Sequence, residues 1–258
     1  MILPHPRSLA ASLAVAFLLL GSCNRHLGEP AAAPQLYEIS SAMGVDTAAP
    51  SITSMEATIQ PYATKLEAVM NRVLAEVETP LLKGQPESNL GNWTADLLAL
   101  AAHDLFPEYE LAFAVQNYGG LRVSEIGAGP LLVSEIYGLM PFDNELVLVE
   151  VTGADLRAFV THTLLDGGWP VSANLRAERQ GTEVTMTVDG KPVDDTQTYY
   201  IAAPDYVANG GSDSAMLVGK RQISSGKMIR DLLIEYAGKS QGPISVGSDG
   251  QRIKISNQ

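Results

Sequence analysis

The sequence is poorest in the residues that build covalent and metal-held sites. Among 258 residues there is one Cys, so no disulfide can form within the chain. Four His occur, and only His103 and His162 lie beyond the N-terminal 26 residues. Each sits amid apolar neighbours in a helix-like run, where a packed or surface imidazole is the ordinary outcome. A two-metal phosphoesterase centre needs several His and Asp ligands to hold ions about 3.5–4 Å apart. Two isolated His cannot supply them. Cations are also scarce: 17 Lys plus Arg stand against 29 Asp plus Glu, a net charge of −12. That excludes a nucleic-acid coat, which needs a basic face to release counterions. It leaves room for one phosphate pocket built on a local Arg. Aromatic residues make up 6%. There is no GxSxG elbow, no Walker A sequence and no GxGxxG. Ser224-Ser225-Gly226-Lys227 matches S-x-x-K and Ser212-Asp213-Ser214 is weakly similar to the companion motif of penicillin-recognising enzymes, but KTG is missing and chance explains the match.

What is present begins with an export segment. Arg7 supplies a positive start, and Leu9 to Leu20 is a 12-residue apolar stretch interrupted only by Ser12. It is too short to span a bilayer and suits a signal peptide. It runs into Leu20-Gly21-Ser22-Cys23, which resembles a bacterial lipobox. The reading is a signal peptide over 1–22, lipidation at Cys23, a lipidated tether over 23–35 with Glu29 to Pro34 at its centre, and one domain over 36–258. No other stretch reaches about 18 consecutive apolar residues. A lipid on Cys23 anchors the chain at the bacterial cell envelope, facing the periplasm or the cell exterior.

Hydrophobic residues make up 46%, enough for a substantial core. Helical spacing is read over Ile59 to Leu74 (Leu66, Val69, Met70, Val73), Glu87 to Phe106, Leu156 to Leu165 and Ser225 to Tyr236, with one turn at Ser134 to Leu139. Strands are read at Tyr109 to Val115, Glu145 to Val151, Val171 to Glu178, Glu183 to Val188 and Tyr199 to Ala203. Asp189-Gly190 signals a hairpin. Glu145 to Val151 suits either an alternating or a fully buried strand. The mixture predicts an α/β fold, with mixed sheets flanked by helices.

Polar, glycine-rich clusters interrupt this pattern. Glu87 to Asn92 begins a helix, where Ser and Asn cap free amides. Asn117-Tyr118-Gly119-Gly120-Leu121-Arg122 follows a strand; glycines permit a tight turn and Arg122 offers a planar fork to phosphate. Pro141-Phe142-Asp143-Asn144 carries a ring at a loop tip. Tyr206 to Asp213 follows another strand. Singly each is an ordinary turn. Together they offer a cation for phosphate, two rings for a flat base and a carboxylate for ribose.

These clusters carry a family likeness. ESNLGNWTADLL, NYGGLR, PFDNELVLVEVTGADLR and YYIAAPDYVANGGSD occur in the order and spacing of the C-terminal domain of 5′-nucleotidases and UDP-sugar hydrolases, over about residues 50 to 240. The resemblance implies the fold of that substrate-binding domain, here without the N-terminal metallophosphatase domain that holds two metals. It implies that Asn117 and Arg122 meet the phosphate or ribose end, that Phe142 and Tyr206 clamp the base, that Asn144 reads the base edge and that Asp213 binds ribose. Three positions depart from the pattern. Tyr118 replaces a glycine and narrows the expected pocket. Gly210-Gly211-Ser212-Asp213 displaces the acid by one place, so that Ser212 is the other candidate for its role. Leu82-Lys83-Gly84-Gln85-Pro86 stands where relatives carry Arg, leaving Lys83 as the remaining cation.

The function implied is nucleotide recognition for a split 5′-nucleotidase in nucleotide catabolism, with no catalytic residue or cofactor of its own and divalent metals on a separately encoded metallophosphatase chain. The alternative is an envelope scaffold lipoprotein that keeps the fold without nucleotide hydrolysis. A self-sufficient non-metal hydrolase needs a nucleophile beside a base, which nothing in the sequence compels.

Overall fold

A computed structural model describes residues 50–256, with side chains from residue 53. The signal peptide, Cys23 and the tether lie outside the described residues. Contacts divide the chain after Ser54, and the unit from Met55 onward carries all the predicted site motifs.

The first described element is α1 (Pro50–Met70), followed by β1 (Val73–Val77) and β2 (Leu81–Leu82). Next come α2 (Asn89–Leu105), β3 (Leu111–Ala114), a 3-10 turn over Tyr118–Gly120, β4 (Glu125–Ile126), β5 (Gly129–Leu132) and α3 (Val133–Leu139). β6 (Glu145–Thr152) leads directly into α4 (Gly153–Leu165). A strand group follows: β7 (Leu175–Gln180), β8 (Glu183–Val188), β9 (Lys191–Pro192) and β10 (Thr198–Pro204). The chain closes with the single turn α5 (Asp205–Ala208), β11 (Gln222–Met228), α6 (Ile229–Ala237) and β12 (Ile253–Ser256). No described helix is long and apolar enough to cross a membrane.

The central sheet has the order β11-β6-β10-β3. β6 pairs antiparallel with both β11 and β10, while β10 and β3 run parallel, so the sheet is mixed as predicted. β6 resolves its two readings in favour of full burial. Leu146 and Leu148 face one apolar cluster with α2, α3 and α6; Val147, Val149 and Val151 face a second with α4, β7 and β8. A strand covered on both faces reads as a continuous apolar run. The smaller sheet, β12-β7-β8-β9, forms the far wall of the second cluster. Asp189 and Gly190, both at positive φ, turn β8 into β9.

Two expectations fail. Ser225 to Met228 belongs to β11 rather than to the last helix, which starts at Ile229: pairing with β6 outweighs the local helical pattern. The S-x-x-K sequence therefore lies on a strand, where the Ser224 hydroxyl donates to Glu145 Oε1. The helical stripe read over Ile59 to Leu74 ends at Met70: Val73 and Leu74 open β1, which pairs with β5, and Leu66 and Val69 on α1 are 56% and 55% exposed.

Candidate functional site: a cleft at one end of the mixed sheet

The sheet topology brings three distant loops to one end. β3 and β10 are parallel, with Ala114 opposite Ala202, so their C-termini leave on the same side. β6 is antiparallel to β10, with Leu146 opposite Pro204, so its N-terminus arrives there too. The loop after β3 carries Asn117 and Arg122. The loop before β6 carries Phe142 and Asn144. The segment after β10 carries Tyr206 and Ser212.

Five of the six predicted residues, Asn117, Arg122, Phe142, Asn144 and Tyr206, line a single cleft of about 320 Å³. Ser212 lines it as well, and Asp213 does not. Asp213 is exposed and, like Ser212, has a left-handed backbone (φ 60° and 53°). The predicted ribose carboxylate is thus missing from the lining, and the serine takes its place.

The cation end is well defined. The Arg122 guanidinium lies 5.6 Å from the centre of the Phe142 ring, and its Nη1 donates to Gly119 O at 3.2 Å. No carboxylate pairs with it among the described residues. The two glycines before it divide the labour. Gly119 is exposed on the cleft wall. Gly120 is buried, and a Cβ there would lie 2.2 Å from Gln116 Nε2. That close approach is what lets the buried Gln116 amide donate to Asn117 Oδ1 at 2.8 Å.

Tyr118 does not narrow the cleft. Its ring packs on the second core cluster and carries the Lys83 ammonium 4.0 Å from its centre. Lys83 Nζ also donates to Leu121 O at 2.7 Å. Burial, and then the nearby Arg122 charge, pulls the Lys83 ammonium below its ordinary range. Lys83 supports the floor of the Arg122 loop and is not part of the lining.

The ring end is built from the backbone outward. Phe142 and Tyr206 are 42% and 48% exposed, a large apolar surface left open to water. Gly211 packs against the face of the Tyr206 ring; a Cβ there would come within 2.4–2.5 Å of three ring carbons. The Tyr206 hydroxyl accepts from Ser212 N at 3.2 Å. The Asn144 backbone carbonyl accepts from Ile229 N, at the start of α6, at 2.8 Å, while its side-chain amide has no hydrogen bond to the described residues.

Three supporting residues escaped the sequence reading. Asp205 Oδ1 accepts from Glu145 N at 3.1 Å and from Tyr206 N at 2.7 Å, tying the two ring-bearing segments together. Arg230 on α6 pairs with Asp143 at 2.7 Å and lies 4.5 Å from the Tyr137 ring centre, holding the Phe142 loop from behind. His162 Nε2 lies 2.8 Å from Ser212 O, with its ring edge-on to Trp169. Nothing in their spacing marks these residues, because their partners are remote in the chain. His103 is exposed at the end of α2.

Among the described residues no three His, Cys, Asp or Glu side chains converge to hold a metal ion.

Residues 73–219 match the family described as 5′-nucleotidase, C-terminal domain. The chain belongs to that family. Among curated relatives of this 5′-nucleotidase C-terminal domain, Protein UshA of Escherichia coli K12 is 29% identical over 140 residues, covering 52% of the chain and 25% of UshA. A probable 5′-nucleotidase of Treponema pallidum is 33% identical over 115 residues, covering 37% of the chain and 19% of that protein. The crystal structure of a 5′-nucleotidase precursor from Thermus thermophilus shares the fold, with TM-score 0.68 and 24% identity over 80% of the chain and 44% of that structure. The domain spans only a minor part of each.

Proposed function

We propose that this 5′-nucleotidase C-terminal domain is the nucleotide-recognition component of a split 5′-nucleotidase, lipid-anchored through Cys23 at the bacterial cell envelope. The observation that carries the reading is the cleft where one unpaired guanidinium, two exposed rings and a free amide meet. A base stacks against the rings of Phe142 and Tyr206, at about 1–3 kcal/mol per stacked base. The Asn144 amide reads the base edge. Arg122 holds the phosphate with its fork, and Asn117 keeps one Nδ2 hydrogen for the ligand after donating the other to Ser212. These residues bind and orient; water activation belongs to the metals of a separate phosphatase chain.

The test is calorimetric titration of the purified chain with AMP, adenosine and a UDP-sugar, then phosphatase assays with and without a cognate metallophosphatase chain. Binding of a nucleotide, no turnover by this chain alone, and a gain on mixing are expected. A chain that neither binds nucleotide nor enhances its partner ends the proposal and leaves the scaffold reading.

A further inference from the structure

α1 is 21 residues long, and from Thr53 onward none of its residues is buried. Met55, Ile59, Tyr62, Leu66 and Val69 are each more than half exposed. They recur at spacings of 4, 3, 4 and 3 residues. At 3.6 residues per turn, that spacing keeps all five within a stripe about 80° wide. The far side of the helix holds Gln60, Thr64 and Glu67. A helix that packs on a globular core shows a broader apolar face, whereas a strict seam of this width suits one facing helix. Pro61 is one position from Tyr62 and off the seam. A helix that lies on a membrane carries Lys and Arg on its polar side. Here Lys65 stands alone against Glu56 and Glu67, so a lipid surface is a poor cover.

We propose that α1 is a dimerisation helix, pairing along this seam with α1 of a second copy of this chain, parallel and in register. The parallel sense rests on the lipid anchor proposed above; the pairing rests on the seam. Residues 24–49 separate Cys23 from α1 and span at most about 90 Å when fully extended. Two copies lipidated at Cys23 therefore hold their α1 helices in one layer above the same bilayer, at an effective concentration far above that in solution. Both helices are entered from the membrane side, which brings them together parallel. In register, each seam residue meets its own counterpart. The flanking pairs across the seam are then Thr58 with Ala63 and Lys65 with Met70, so no like charges oppose one another.

Sedimentation of the full chain over a concentration series tests the pairing without lipid or nucleotide. A dimer that dissociates on dilution is expected. Leu66→Glu is expected to raise its dissociation constant about tenfold or more, with the melting temperature of the core unchanged. Gln60→Glu adds the same charge on the far side of α1 and is expected to leave the dimer intact. Leu66→Ala supplies the reading if the Glu variant does not fold. A wild type that stays monomeric to about 1 mM overturns the proposal, as does a dimer that the Leu66 variants leave unchanged. Orientation is read by mild oxidative cross-linking of Met55→Cys and Val69→Cys chains on lipid vesicles, with the wild type as control for Cys23. Cross-linked dimers within each variant alone are expected. Cross-links that form only when the two variants are mixed mean an antiparallel pair and overturn the parallel arrangement; a dimer cross-linked in no case overturns the seam. A chain that dimerises in solution but carries no lipid at Cys23 supports the pairing and ends the anchor reading.

Discussion

Arg122 and Phe142 carry the largest single-residue expectations. Arg122→Ala removes the only charged group of the cleft wall, and Phe142→Ala removes one stacking face. Each is expected to weaken AMP binding by about tenfold or more in calorimetry, with the melting temperature nearly unchanged because both side chains are exposed. Tyr206→Phe keeps the ring and deletes only the acceptor for Ser212 N; a loss of about threefold is expected, since water can reach the freed amide. At this scale the sequence was legible where a motif names a residue directly. Asn117, Arg122, Phe142, Asn144 and Tyr206 were all readable from their motifs. The choice between Ser212 and Asp213 was not, because it turns on two left-handed residues whose conformation is set by Tyr206, Asn117 and His162.

At the scale of elements, α6 and β6 hold the cleft in place. Arg230 is largely buried, whereas its partner Asp143 is 75% exposed. Arg230→Met is expected to free the loop over 141–144, seen as faster amide hydrogen exchange there, and to weaken AMP binding with a smaller effect on melting. Unchanged exchange in that loop would remove Arg230 from the positioning network. Leu148 is buried in the first core cluster, so Leu148→Ala is expected to cost about 2–5 kcal/mol in urea unfolding. Most elements were legible from periodicity, including β8 over its full length, Glu183 to Val188. The misreading at Ser225 to Met228 has a plain cause. Its local pattern fits a helix, but β6 offers an open edge for pairing, and the ladder with Gln222, Ile223, Ser224 and Met228 decides the outcome. β4, with two residues, is too short to show a period, and β1 was missed because Val73 and Leu74 also fit the helical spacing of the residues before them.

For the whole molecule, acidity sets the pH response. Hydrogen bonding from Arg221, and then Tyr200, lowers the Glu150 carboxyl; Lys220 does the same for Asp155, and the Thr196 amide for Asp194. Folded values below unfolded ones mean stability that is full above the ordinary carboxylate range and lost as pH falls through the folded values. Melting temperature is therefore expected to be flat near neutrality and to drop below about pH 4, with a shallower drop in Glu150→Gln. A curve of Glu150→Gln that overlays the wild type would exclude this residue as a source. The net charge of −12 opposes an anionic ligand at long range, whereas Arg122 in the cleft wall attracts it locally. By itself the sequence determined the mixed α/β class, the family and most of the residues facing the cleft, because composition, apolar period and motif order are local properties of the chain. Only the tertiary structure decided which acid leaves the cleft, where Tyr118 and Lys83 go, and that Asp205, Arg230 and His162 brace the site. Those outcomes depend on groups about 35 to 95 positions apart coming into contact, which strand pairing arranges and local sequence does not encode.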